Sequence, residues 1–152
     1  NINKALALKN NYTDAYYTLA QLEAASNNIQ GAIKSVEAAA FMDPQNASLY
    51  FQLGLLKYNV KNYGGAAGAF ERAIVIIPDY ANARYFLGLS YEKLNRDADA
   101  ILQFEAIQKT NPDNSEVKLI LSNLKAGRDP FANAKPPVDS KPEKRQEPPI
   151  EE

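Results

Sequence analysis

The chain of 152 residues contains no cysteine, no histidine and no tryptophan. Without cysteine it can form neither a disulfide nor a thiolate metal site, and it has no cysteine nucleophile. Without histidine it lacks the commonest general base and the commonest side-chain metal ligand. These absences argue against an enzyme, so we expect no catalytic residue, no cofactor site and no metal site in this chain.

The chain also lacks an excess of either charge and lacks any long apolar run. Its 17 basic and 18 acidic side chains give a formal net charge of −1. The chain therefore lacks the excess of positive charge that nucleic-acid binding requires. A membrane-spanning helix needs about 18 or more consecutive apolar residues, and no such run is present. We therefore expect a protein or peptide partner, no nucleic acid and no membrane insertion of this segment.

The most informative feature of the sequence is an internal repeat. Four series of identical residues recur with a spacing of 34 residues. The series are Leu19, Leu53, Leu87 and Leu121; Ala32, Ala66 and Ala100; Ala5, Ala39 and Ala73; and Pro44, Pro78 and Pro112. A period between about 20 and 50 residues is the signature of a solenoid, in which each unit buries its apolar face only against its neighbours.

One period reads as a pair of helices. Ala47–Val60 and Tyr63–Ile76 each carry apolar residues at intervals of three and four, with a polar break between them. Pro78 follows, and because proline disfavours helical backbone at the residue before it, the second helix should end at Ile77. Each unit is therefore predicted to be helix, short turn, helix and proline.

This unit closely resembles the tetratricopeptide repeat, whose pattern has an aromatic residue, then Leu-Gly, then a second-helix alanine, a large residue and a closing proline. The second unit matches through Tyr50, Leu53, Gly54, Ala66, Phe70, Ala73 and Pro78. The first matches through Tyr16, Leu19, Ala20, Ala32, Val36, Ala39 and Pro44, and the third through Leu87, Gly88, Tyr91, Ala100, Phe104 and Pro112. The absent tryptophan of the family is replaced by tyrosine in the first two units. The small residues are explained by close helix packing.

The resemblance implies an all-α fold, a right-handed α-solenoid of antiparallel helix pairs. We predict full repeats at 13–46, 47–80 and 81–114, a partial repeat at 1–10 and a capping helix at 115–126, which together form a solenoid over 1–127. Separate helices are expected at 2–9 and 13–27. Residues 128–152 contain six prolines among mixed charges and are predicted to form a disordered tail.

The first residues read as the second helix of a unit whose first helix is missing, which suggests a piece of a longer protein. The apolar face at this end lacks a cap, so we expect fraying or end-to-end self-association through the N-terminal helix. The helix at Tyr63–Ile76 holds Gly64, Gly65 and Gly68 in its first turns. Close packing on the preceding helix would explain them, and a soft joint in the solenoid is the alternative.

In the tetratricopeptide family the first helix of each unit lines a concave groove, and the resemblance carries this role onto a set of positions here. The groove residues so implied are Tyr17, Gln21, Phe51, Gln52, Leu55, Tyr58, Asn59, Tyr85, Phe86, Leu89 and Leu119, with Ile120 and Asn123 at further groove-facing positions. Aromatic residues recur at Tyr17, Phe51 and Tyr85, where we expect packing inside a unit not to require them. An aromatic stripe favours an apolar peptide; the alternative is that these rings cover one another.

Family members that clamp the C-terminal carboxylate of chaperone tails need lysine and arginine in the groove. Here Tyr17, Asn82 and Phe86 occupy the corresponding positions, so a carboxylate clamp is disfavoured.

The sequence thus favours a protein-interaction scaffold that binds an apolar peptide in its groove. One alternative is the non-catalytic repeat region of a larger enzyme, glycosyltransferase-like or membrane-anchored, whose catalytic part lies upstream. Another is a filament that assembles through the uncapped end. No feature identifies a compartment: the cytoplasm is the default expectation, and a membrane-tethered or exported parent protein stays open.

Overall fold

The computed structural model describes residues 2–134, although not every side chain before Asn11. Within that range the chain forms seven helices and no strand. The helices are α1 (Ile2–Ala25), α2 (Ile29–Met42), α3 (Ala47–Asn59), α4 (Tyr63–Ile76), α5 (Ala81–Lys93), α6 (Asp97–Thr110) and α7 (Ser115–Lys125). None of these helices combines the length and the apolar character that crossing a membrane requires.

The helices pack in the order in which the chain supplies them. Each described helix contacts its neighbours along the chain, and the only other contact between these elements joins α3 to α5. An arrangement in which every unit touches only the next one is a solenoid. The predicted all-α solenoid of helical repeats is confirmed.

The first helix differs from the prediction. Separate helices were expected at 2–9 and 13–27, but α1 runs without a break from Ile2 to Ala25. The cause lies in the proline series: Pro44, Pro78 and Pro112 imply a proline at position 10, where the chain has Asn10. Asparagine keeps its amide hydrogen and does not force the preceding residue out of helical backbone, so the helix continues.

The turns within helix pairs repeat the same backbone geometry. Asn27, Lys61 and Asn95 are spaced by 34 residues and all have positive φ, between 56° and 63°. The next residue is the N-cap of the second helix. The side chains of the N-cap residues Asn28 and Asn62 accept hydrogen bonds from Gly31 N and Gly65 N at 3.1 and 2.9 Å. Such caps satisfy amide groups that the first turn of a helix leaves unpaired.

The core is built from the recurring small residues and two rings. Ala32, Ala66 and Ala100 are fully buried, as are Phe70 and Phe104. Gly54 and Gly88 lie directly against these two rings: a methyl group on Gly88 would stand 2.6 Å from the Phe104 ring. The packing role predicted for the alanines and these two glycines is therefore correct.

The glycines early in α4 have a different explanation. A methyl group added to Gly64 or Gly68 would meet no atom within 4 Å. Close packing on the preceding helix therefore does not account for them. Only Gly65 has a neighbour, the Asn62 side chain that caps the helix.

The sequence predicted a disordered tail from residue 128, but the structure describes seven further residues, 128–134, after that point. The amide of Asn123 donates hydrogen bonds to the carbonyl oxygens of Pro130, at 3.0 Å, and Ala132, at 2.7 Å. Arg128 donates from Nε to Oδ1 of Asn123 at 3.2 Å, and Pro130 is fully buried. Residues 128–134, assigned to the tail by composition, thus pack on α7. The rest of the predicted tail, 135–152, lies outside the described residues.

The contrast between Gly88 and Gly68 gives a test of the packing. We expect Gly88→Ala to destabilise the fold by about 1–3 kcal/mol, because the added methyl overpacks the Phe104 ring. Gly68→Ala should stabilise it by about 1 kcal/mol, because alanine is the better helix former and the site is open. Urea unfolding followed by circular dichroism measures both. Shifts of the same sign in the two variants would contradict this account.

Candidate functional site: the first-helix wall

The predicted groove residues lie on the first helix of each pair and on α7. Tyr17 and Gln21 are on α1, Leu119 is on α7, and the others are on α3 and α5. We call the surface formed by these side chains the first-helix wall. Gln21 and Asn59 are exposed, and eight further members are partly buried: Tyr17, Phe51, Gln52, Leu55, Tyr58, Tyr85, Phe86 and Leu119.

Leu89, a predicted groove residue, does not lie on the surface. Only 6% of Leu89 is exposed, and it belongs to the buried cluster that also holds side chains of α4, α6 and α7. Two of the groove positions predicted on α7 are also wrong. Ile120 and Asn123 are fully buried, the first in that cluster and the second in hydrogen bonds to the segment after α7. These three residues are therefore core residues, unavailable to a ligand.

Three phenylalanine rings form the centre of the wall. The centroids of Phe51 and Phe86 are 6.1 Å apart, and each lies 5.9 Å from the centroid of Phe70. Phe70 is fully buried on α4, whereas Phe51 and Phe86 are partly exposed on α3 and α5. The two wall rings are thus supported from behind by a core ring.

Tyrosines extend this aromatic cluster on both sides. Tyr58 lies 6.0 Å from Phe86, and Tyr85 lies 5.5 Å from Phe86 and 5.6 Å from Phe104, all in edge-to-face contacts. Such contacts between rings contribute beyond simple burial. Phe86 contacts both Phe51 and Tyr85. The two predicted stripe residues are therefore connected through Phe86.

The contacts correct one argument from the sequence. Phe51 and Tyr85 were taken to be unnecessary for packing inside a helix pair. Each instead touches the large residue of its own second helix, Phe70 and Phe104 respectively. Both expectations for these rings hold in part, because each ring packs against neighbours and still keeps some exposed surface.

Sequence reasoning missed Tyr80, whose ring centroid lies 5.1 Å from that of Phe51. Tyr80 is the residue before α5, and the equivalent positions one period away hold Asn46 and Asn114. No periodic signal therefore marked this position as aromatic.

Burial raises the pKa of two wall tyrosines, Tyr58 and Tyr85. The Tyr85 hydroxyl donates to Glu116 Oε1 at 2.7 Å. Burial, followed by this hydrogen bond, raises the pKa of Tyr85 well above its usual value, and burial likewise raises the pKa of Tyr58. Both phenols are therefore uncharged at physiological pH, and this part of the wall suits an uncharged, apolar ligand surface.

Wall residues line two separate hollows. One, of about 370 Å³, lies between α5 and α7 and brings together Asn82, Tyr85, Phe86, Asn114 and Glu116. The other, of about 150 Å³, lies between α1 and α3 and is lined by Tyr17, Ala20, Gln21, Ala24, Val36, Gln52 and Leu56. The structure thus places Tyr17 with the two glutamines, apart from the aromatic cluster.

Two family models match this chain, both described as tetratricopeptide repeat. One matches residues 17–81 and the other residues 60–124. Together they span the helices from the middle of α1 to the end of α7. No curated protein matches the chain significantly.

Solved structures with this fold include several that carry peptides. The second tetratricopeptide domain of human RPAP3, in complex with the HSP70 peptide SGPTIEEVD, has a TM-score of 0.70 and 19% identity, over 77% of this chain and 98% of that one. The Yersinia enterocolitica secretion chaperone SycD, in complex with a YopD translocator peptide, has a TM-score of 0.67 and 16% identity, over 75% and 92%. MamA has a TM-score of 0.71 and 24% identity, over 82% and 73%. At these identities the similarity shows the fold alone.

The Tyr85–Glu116 hydrogen bond gives a pH-dependent prediction. Because the pKa of Tyr85 is raised in the folded chain, its contribution to stability is present below the ordinary tyrosine pKa, about 10, and is lost as the pH rises through the folded value. We expect Tyr85→Phe to cost about 1 kcal/mol at neutral pH. The difference between the two proteins in urea unfolding should shrink in alkaline solution. A difference that grows there would contradict the assignment.

Proposed function

Because the chain belongs to the tetratricopeptide repeat family, we propose that it is a protein-interaction scaffold that binds an apolar segment of a partner along the first-helix wall. The observation that carries this proposal is the set of partly exposed rings, Phe51 and Phe86, supported by the buried Phe70. Solenoids offer extended surfaces of this kind to their partners. Structures with the same fold are occupied by peptides in the human and Yersinia examples above.

The wall rings have the properties of binding hot spots. Aromatic side chains dominate binding energy where they are well packed and already fixed in position. Phe51 and Phe86 are held by ring contacts on several sides, so little side-chain entropy would be lost when a ligand covers them. A partner that presents leucine-like or aromatic side chains would complete their burial.

Amide side chains supply the polar part of the wall. Gln21 and Asn59 are exposed, and Gln52 is partly exposed beside the same hollow as Gln21. An amide both donates and accepts hydrogen bonds, so these residues suit the peptide groups of a bound segment whatever its sequence. The wall thus combines apolar anchoring with neutral hydrogen bonding.

The chemistry of the wall disfavours acidic chain ends as ligands. The positions where a carboxylate clamp would need lysine or arginine hold Tyr17, Asn82 and Phe86. Lys93 is near this surface, but its ammonium group lies 3.0 Å from Glu92, an acidic neighbour that already compensates its charge. We therefore infer a ligand unlike the acidic peptide carried by human RPAP3.

The alternative of a repeat region within a larger enzyme would leave the same wall in use. In that case the bound segment would be a substrate protein or another part of the enzyme, and this chain would supply recognition alone. Tests of the wall therefore apply to both alternatives.

The proposal is tested by selecting peptides from a random phage-displayed library on this chain. We expect enrichment of peptides with apolar anchors. The double variant Tyr17→Ala/Leu55→Ala should bind a selected peptide at least about tenfold more weakly, because each truncated anchor costs roughly 1–2 kcal/mol. Isothermal titration calorimetry measures the affinities.

The matched control is Phe41→Ala/Leu102→Ala, which also removes one ring and one leucine. These residues are exposed on the second helices α2 and α6, away from the wall. Unchanged affinity in the control together with weakened affinity in the wall variant supports the proposal. Equal affinity in both variants would refute it.

A separate prediction concerns the acidic peptide of the human RPAP3 structure. Because no clamp of basic residues is present, SGPTIEEVD labelled with a fluorophore should show no saturable binding to this chain in fluorescence anisotropy. The human RPAP3 domain serves as the positive control. Saturable binding with micromolar affinity would show that the wall recognises carboxylates after all.

A further inference from the structure

A hollow at the edge of the first-helix wall combines aromatic rings with a carboxylate. It is the hollow of about 370 Å³ between α5 and α7, and we call it the α5–α7 hollow. Tyr85 and Phe86 line it from α5, and Glu116 lines it from α7. Since a water molecule occupies roughly 30 Å³ in the liquid, the hollow has room for a long side chain of a ligand.

The carboxylate of Glu116 is held in place and can still accept hydrogen bonds. The Tyr85 hydroxyl donates to its Oε1 at 2.7 Å, across the gap between the two helices. A carboxylate offers about four acceptor positions, and within residues 2–134 the Glu116 side chain has no other hydrogen bond or ion pair. Glu116 is also exposed. A ligand can therefore bind this carboxylate without displacing Tyr85.

No basic side chain lines the α5–α7 hollow. Arg84 precedes Tyr85 in the sequence, but its guanidinium donates to Pro78 O at 2.8 Å and to Gln103 Oε1 at 2.9 Å. It is thus committed to the turn before α5 and to α6. The charge of Glu116 is left without a cationic partner from the described part of the chain.

The surface next to the hollow has the same charge. A second hollow, of about 330 Å³, shares Ala81 and Asn82 with the first and is lined by Asp79, again without a basic side chain. Asn82 is exposed between the two, and its amide oxygen can accept a hydrogen bond. The polar groups at this edge of the wall therefore favour a ligand that is positively charged.

Rings beside a carboxylate suit a guanidinium better than an ammonium group. A guanidinium is planar, stacks on aromatic faces and presents parallel N–H donors that match the two oxygens of a carboxylate. An ammonium group is a compact charge that is more strongly hydrated. Arginine is therefore the side chain that matches the whole lining of the hollow.

The hollow adjoins the apolar part of the wall through a shared residue. Phe86 lines the hollow, and its ring centroid also lies 6.1 Å from that of Phe51 in the aromatic cluster. A segment whose apolar side chain covers Phe51 and Phe86 would bring its neighbouring residues to the mouth of the hollow.

We propose that the α5–α7 hollow receives an arginine side chain of the partner segment, with its guanidinium paired to Glu116 beside the rings of Tyr85 and Phe86. This inference rests on the proposed function and adds to it the chemistry of the partner, an apolar segment that carries an arginine next to its anchors.

Parallel selections from one random phage-displayed library test the inference. The parent chain should enrich peptides that combine apolar anchors with an arginine. Glu116→Gln keeps an acceptor for the Tyr85 hydroxyl but removes the charge, so it should enrich the same apolar anchors without arginine.

Calorimetry on one selected peptide measures the contact itself. Replacing its arginine with citrulline, which keeps the shape and loses the charge, should weaken binding to the parent chain at least about tenfold, because hydrogen bonds between charged groups are strong. The same replacement should leave the affinity for Glu116→Gln nearly unchanged.

The matched control is Asp97→Asn. A carboxylate in the first turn of a helix stabilises that helix, and Asp97 holds this position on α6 as Glu116 does on α7. Asp97 does not line the α5–α7 hollow, so its variant should discriminate between arginine and citrulline as the parent chain does. Circular dichroism verifies that both variants keep their helices.

The outcomes separate this inference from the proposed function. Apolar anchors without arginine on the parent chain, or equal enrichment of arginine on Glu116→Gln, would overturn the arginine site and leave the scaffold proposal standing. Loss of arginine selection in Asp79→Asn but not in Glu116→Gln would place the cation in the adjoining hollow and also overturn it. No apolar enrichment on the parent chain would overturn both proposals.

Discussion

The structure depends on a ring packed against a glycine. In each of the last two helix pairs a phenylalanine from the second helix, Phe70 or Phe104, lies on the glycine of the first helix, Gly54 or Gly88, at a distance that leaves no room for a methyl group. This contact fixes how closely the two helices approach. Both rings are fully buried, so they fill the centre of their pairs. The first pair uses Ala20 and Val36 at the same positions, a smaller version of the same fit.

The same contact explains the surface chemistry of the wall. Because Phe70 is fixed on Gly54, it offers its ring to Phe51 and Phe86 on two successive first helices. The wall rings are thus ordered by the core, and they keep exposed surface because the direct contact between α3 and α5 is small. Binding surface and fold share one aromatic cluster, and a substitution such as Phe51→Glu would disturb both. Truncation of Tyr17 and Leu55 separates the two effects better.

Most of the fold could be predicted from the sequence because its determinants are periodic. The alanines at 32, 66 and 100, the leucines at 53, 87 and 121 and the proline series mark buried faces and helix ends directly. The continuous α1 was missed because one absent proline, at Asn10, carried less weight than the repeat pattern. Leu89, Ile120 and Asn123 were assigned wrongly because groove positions carried over from the family do not show what the last helix and the segment after it cover. The ring contacts through Phe86 and Tyr80 could not be predicted, since they join residues whose proximity arises only from stacking of the pairs.

The central claim is that the first-helix wall, with its core-supported rings, is the surface that receives a partner. The most direct measurement is a titration of the isotope-labelled chain with a selected apolar peptide, followed by amide chemical shifts in NMR spectra. The account predicts saturable shifts concentrated on the first helices α1, α3 and α5, around Tyr17, Phe51 and Phe86, with small changes on α2 and α6. Shifts confined to the second helices α2, α4 and α6 would contradict it.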